Sequence, residues 1–165
     1  MAKDNKIILG LDPGIADVGF GIIEKNKKGI RFIKTGSIKT VNLKSFSERL
    51  EIIYKKINKL IIKYKPDIIG VEKLYFARNI KTALDVSEAR GVIILACQSN
   101  SIEIEEFTPT QVKQAVTGSG IANKRQVGLM VKTILKLNKV PKPDDASDAL
   151  AVAIATSIKV IIKQK

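Results

Sequence analysis

The chain has 165 residues, the length of one ordinary domain, and its 45% hydrophobic content is enough for a sizeable core, so a single domain over residues 1–165 is expected. A net charge of +13 suits a polyanionic partner, and it equally suits a solvated, lysine-rich surface. The absence of histidine excludes Ser-His-Asp and Cys-His catalysis and histidine metal ligands; with no run near the roughly 18 apolar residues of a membrane span and no leader-type start, a cytoplasmic protein is expected.

Residues 6–12, Lys-Ile-Ile-Leu-Gly-Leu-Asp, form a short apolar run broken by Pro13-Gly14 and read as a strand buried on both faces. Residues 18–25 and 30–37 flank the turn-like Asn26-Lys-Lys-Gly29, which predicts a hairpin. From 45 to 64, apolar Leu50, Ile53, Ile57, Leu60, Ile61 and Tyr64 recur at helical spacing, and Pro66 marks the stop. Residues 67–72, Asp-Ile-Ile-Gly-Val-Glu, are a second buried-type strand; the strand-helix-strand order places it parallel to the first and beside it. A helix over 79–100 follows, apolar nearly all round at 92–96, so something must cover it: the core or a second copy of the chain. Cys97 in this helix reads as a small buried hydrophobe with no chemistry. A strand over 102–108 and helices over 109–116, 123–137 and 145–163 complete an α/β fold with a mixed sheet.

Most of the acids sit where charge is cheap, but Asp12 and Glu72 close buried-type strands and Asp148 opens the run Ala149-Leu-Ala-Val-Ala-Ile-Ala155. In open α/β sheets the functional crevice lies beyond the carboxyl ends of the strands, which is where Asp12 and Glu72 fall. Asp145 and Asp148, three apart, share one helical face with about 5–6 Å between β-carbons. Four carboxylates in one crevice would raise each other's pKa, so a bound cation is the natural neutraliser, and oxygen-only ligands favour Mg²⁺ or Mn²⁺ over zinc. Two such ions, about 3.5–4 Å apart, would serve in-line displacement at a phosphodiester. Each acid taken alone could equally cap a turn or complement a helix dipole.

Gly10-Leu-Asp-Pro-Gly14, Val71-Glu-Lys-Leu-Tyr-Phe76, Ala89-Arg-Gly91, Gln111-Val-Lys-Gln114 and Asp145-Ala-Ser-Asp-Ala-Leu-Ala151 occur in the order and spacing of the RuvC Holliday-junction resolvases, which the chain resembles over nearly its whole length. The resemblance implies a ribonuclease H-like fold, a mixed five-stranded sheet flanked by helices, and an Mg²⁺-dependent endodeoxyribonuclease. Such an enzyme works as a homodimer and makes paired cuts in four-way junction DNA, with the branch-migration proteins RuvA and RuvB as partners. It assigns Asp12, Glu72, Asp145 and Asp148 as catalytic metal ligands, holding two Mg²⁺ ions for which Mn²⁺ can substitute. Asp144 stands beside the third ligand; the family's Asp-x-x-Asp spacing selects Asp145 and leaves Asp144 as an N-cap. Tyr75, Lys113 and Lys124 match the family's DNA-contacting positions, and Arg78 is similar in character. Phe76 is assigned to the core. Lys124 also follows the Gly118-Ser-Gly120 turn into a helix N-terminus, a ready phosphate site.

Three other readings use the same residues, the first being a related nuclease on other branched or RNA substrates, which shares the chemistry and differs only in specificity. Asp-Pro-Gly between a strand and a hairpin also resembles the phosphate turn of actin-like phosphotransferases, although those close two domains around a nucleotide. A non-catalytic nucleic-acid-binding module would keep the acids as structural groups.

Overall fold

The computed structural model describes residues 5–40, 45–74 and 80–163. Strand β1 (Lys6–Asp12) is followed by the hairpin β2 (Asp17–Asn26) and β3 (Gly29–Lys39), helix α1 (Phe46–Tyr64), β4 (Ile68–Glu72), α2 (Ile80–Ser99), β5 (Glu103–Phe107), α3 (Pro109–Thr117), α4 (Lys124–Ile134) and α5 (Asp144–Lys163). The five strands form one sheet in the order β3-β2-β1-β4-β5. β1 runs antiparallel to β2 and parallel to β4, and β4 runs parallel to β5. This is the mixed five-stranded sheet expected from the strand order.

Local chemistry fixes the element boundaries. Helix α1 starts at a capping box, in which the Ser45 hydroxyl accepts from the Glu48 amide while Glu48 accepts from the Ser45 amide, satisfying donors that a helix start leaves unpaired. Its Ile53, Ile57 and Ile61 are buried on one stripe. Asp67 then joins β4 to β1, its carboxylate accepting from the Ile7 amide at 2.7 Å. Helices α3 and α4 open on capping boxes of the same kind, Thr108 with Gln111 and Asn123 with Gln126. Helix α4 is shorter than the sequence pattern suggests, because the chain leaves it after Ile134 and turns through Lys136 at φ 52°.

The core lies on both faces of the sheet. On one, Leu9, Leu11, Val18, Ile22 and Ile69 pack against Ile53 and Ile57 of α1 and Ala89, Ile93 and Cys97 of α2. On the other, Ile8, Ile23 and Ile68 pack against Leu150 and Ile154 of α5, with Val112, Val116, Val127 and Val131 of α3 and α4 outside it. Cys97 is buried as expected, and burial pushes its thiol up to about 12, which leaves it inert. No helix among the described residues is long and apolar enough to cross a membrane.

Candidate active site

Glycines let α5 lie directly on the sheet, and they decide where the acids meet. A Cβ at Gly10 would stand 2.2 Å from the carbonyl oxygen of Ala149, one at Gly21 would stand 2.7 Å from the Leu150 amide nitrogen, and one at Gly19 would stand 2.0 Å from the carbonyl oxygen of Asp145. Gly10 pairs with Gly21 across the β1–β2 ladder, and Asp12 pairs with Gly19. Side chains alternate along a strand, so Asp12, two residues beyond Gly10, also faces α5. Glu72 stands in the same relation to Gly70, whose Cβ would meet the Thr156 hydroxyl at 2.0 Å. The register thus aims both strand-end carboxylates at the first turns of α5.

There Asp12, Asp145 and Asp148 each offer a carboxylate oxygen, and the three lie within 4.8 Å of one another. Glu72 falls outside that group but remains electrically coupled to it. Burial, followed by the charges of Glu72, Asp148 and Asp145, pushes the Asp12 carboxyl up to about 8, and Lys124 only partly opposes this. Glu72 is pushed up to about 7 by burial and then by Asp148, against Lys113 and Lys124. Asp145 is raised by burial, then by Asp17, with smaller contributions from Asp148 and Asp144. Carboxylates held together at such a cost are short of positive charge. An all-oxygen donor set of this kind fits a hard divalent cation.

Asp144 lies apart from this group. It is the first residue of α5, exposed, and 2.8 Å from the Lys142 ammonium, whose hydrogen bond and charge hold its carboxyl below the usual range. It is not the N-cap that the sequence pattern suggests: the Pro143 carbonyl accepts from the Ala146 and Ser147 amides, so Pro143 holds that position. An N-cap carboxylate must turn back to the helix amides, whereas that of Asp144 turns outward to lysine.

Lys124 is the first residue of α4, fixed there by the Asn123 cap, and its ammonium lies 3.0 Å from Asp148 and 3.7 Å from Asp144. Burial works against its charge, but the hydrogen bond and charge of Asp148, with Asp144 and Asp145, outweigh it and raise its pKa. Lys113 of α3 and Lys124 line one cleft of about 230 Å³ together with Glu72 and Asp148. Both lysines therefore stand at the acids, where an anionic substrate would enter. Tyr75, Phe76 and Arg78 lie outside the described residues. One residue was not anticipated: Asp17, at the start of β2, is close enough to Asp145 to act on its charge. Its signal in the sequence is the period-two series Asp17, Gly19, Gly21, which shares the face of Asp12.

With this geometry in place, three comparisons bear on it. The family model described as crossover junction endodeoxyribonuclease RuvC matches residues 8–156. The chain is 51% identical to the crossover junction endodeoxyribonuclease RuvC of Halothermothrix orenii over 148 residues, covering 90% of each chain. It is 49% identical to that of Finegoldia magna over 147 residues, covering 89% of this chain and 90% of the relative. Among solved structures, Thermus thermophilus RuvC in complex with Holliday junction substrate superposes with a TM-score of 0.90 at 30% identity, covering 96% of each chain. The yeast mitochondrial Holliday junction resolvase, at 15% identity and a TM-score of 0.68 over 95% of this chain and 83% of that one, shares the fold.

Proposed function

The chain belongs to the RuvC family of crossover junction endodeoxyribonucleases, and we propose on that premise that it resolves four-way DNA junctions by paired, metal-dependent phosphodiester hydrolysis. Family membership decides for a nuclease over the phosphotransferase and the purely binding module. The observation that carries the chemistry is the meeting of Asp12, Asp145 and Asp148 within 4.8 Å, with the Asp12 carboxyl at about 8. These three and Glu72 are the metal ligands in this reading, for two Mg²⁺ ions or Mn²⁺ in their place. When bound, the ions neutralise the carboxylates and stabilise the attacking and leaving oxygens of an in-line displacement.

The remaining work falls to the chain itself. Lys113 and Lys124 take the phosphates beside the scissile one as point charges. Lys124, 3.0 Å from Asp148 in the metal-free chain, would be released toward a phosphate once a bound cation neutralised the acids. Tyr75 and Arg78 are assigned to the junction by motif alone. Paired cuts need two sites, and α2 offers a surface for a twofold partner: exposed Leu84 and Leu95 bracket Gly91, which has open space where a Cβ would point, and all three recur at helical spacing. In this reading the enzyme works in the cytoplasm, with RuvA and RuvB delivering the DNA, as the family's way of working implies.

A labelled four-way junction and a linear duplex of matched sequence, each incubated with and without Mg²⁺, test this reading. Mg²⁺-dependent cutting of the junction alone is expected. Equal cutting of both would discard junction selectivity and keep the nuclease; no cutting of either would discard both.

A further inference from the structure

We propose that Asp17 is a fifth carboxylate of the metal centre, holding the water shell of a divalent ion on the side of Asp145. The inference rests on the reading of the acidic group as a metal site. Asp17 opens β2 two residues before Gly19, and alternate residues share a face, so its side chain projects toward α5 as Asp12 does. The missing Cβ of Gly19 admits the Asp145 backbone, which brings the first turn of α5 against this end of the strand.

Asp17 Oδ1 is buried and has no hydrogen-bond partner. Lys39, directly opposite on β3, leaves it unpaired. A carboxylate oxygen withdrawn from water without a donor is unfavourable, and buried polar groups in native folds are satisfied when the bound species they serve is present. Asp17 is not one of the three acids whose oxygens lie within 4.8 Å. It therefore reaches the ion through water, which magnesium retains in its coordination sphere when few protein ligands are supplied. Outer-sphere partners of this kind orient ligands and tune affinity.

Manganese titration of the DNA-free chain, followed by calorimetry or by the loss of the free-ion spin signal, tests the assignment. Asp17→Asn is expected to weaken Mn²⁺ binding roughly tenfold, the lower end for loss of an outer-sphere partner. Its melting temperature in chelator should equal or exceed that of the parent, because the charge behind one buried, unpaired carboxylate oxygen has been removed. Unchanged Mn²⁺ affinity would overturn the proposal. Loss of chelator stability together with affinity would also overturn it, because Asp17 would then be a structural group. Asp17→Thr, a good strand former, is held to the same outcomes. A parent chain that binds no Mn²⁺ would overturn the metal centre itself, a failure distinct from that of Asp17.

Discussion

Replacing Asp12 by asparagine should stabilise the metal-free protein, and by an amount that grows with pH. The folded Asp12 carboxyl holds its proton to about pH 8, while the unfolded one releases it near 3.8. Across that window the folded state binds more protons, so its stability falls as pH rises and the loss is complete above about 8. A shift of about four units corresponds to an upper limit on the order of 5 kcal/mol. Repacking of the neighbouring acids and of Lys124 reduces this to about 2–4 kcal/mol at pH 8, or roughly 4 °C or more in melting temperature for a chain of this size. Asparagine has the shape of the protonated carboxyl and does not titrate. The assay is thermal or urea unfolding of both proteins in chelator at pH 4, 6 and 8. Near-equal stability at pH 4 and a clear asparagine advantage at pH 8 are expected, with added Mg²⁺ stabilising only the parent. An asparagine variant no more stable than the parent at pH 8, or an advantage independent of pH, would refute the electrostatic reasoning.

Three further outcomes follow from the same geometry. With Asp12 at about 8 and Glu72 at about 7 before metal binds, protons must leave for the ions to enter; cleavage at limiting Mg²⁺ should rise between pH 6 and 8 by up to about tenfold per unit per proton, and saturating Mg²⁺ should flatten the profile. Gly19→Ala drives a methyl into the Asp145 carbonyl, 2.0 Å from the ideal Cβ; a stability loss of about 1–3 kcal/mol or more in urea unfolding and weakened Mn²⁺ binding are expected, as the first turn of α5 is pushed from β2. Lys124→Ala should weaken junction binding and lower the slope of log K against log salt by about one, the signature of a single lost phosphate contact.

The parts of the site legible in sequence were those written in hydrophobic pattern. Asp12 and Glu72 stood out because each ends an apolar run too short for a helix, and the strand-helix-strand order put those ends side by side. The choice of Asp145 over Asp144 came from family spacing; in the fold it corresponds to which residue turns inward along α5 and which turns to Lys142. What the pattern did not reveal was the slot formed by Gly10, Gly19, Gly21 and Gly70. A glycine in a strand says only that something approaches, and the approaching element, α5, is the last helix of the chain, far from all four in sequence. Asp17 is illegible for the same reason, since a polar residue opening a strand is ordinary until the helix beside it is known. The end of α4 is not legible in the sequence because Leu135 is buried like the helical residues before it, although the backbone has already begun to turn.

If the carboxylates meeting at the end of β1 hold the ions that cut DNA, Asp12→Asn separates cleavage from binding. Single-turnover cleavage and equilibrium binding of a four-way junction are measured together in Mg²⁺. Cleavage should be abolished and junction affinity largely retained; cleavage at the parent's rate would rule out Asp12 as a ligand of the catalytic ions.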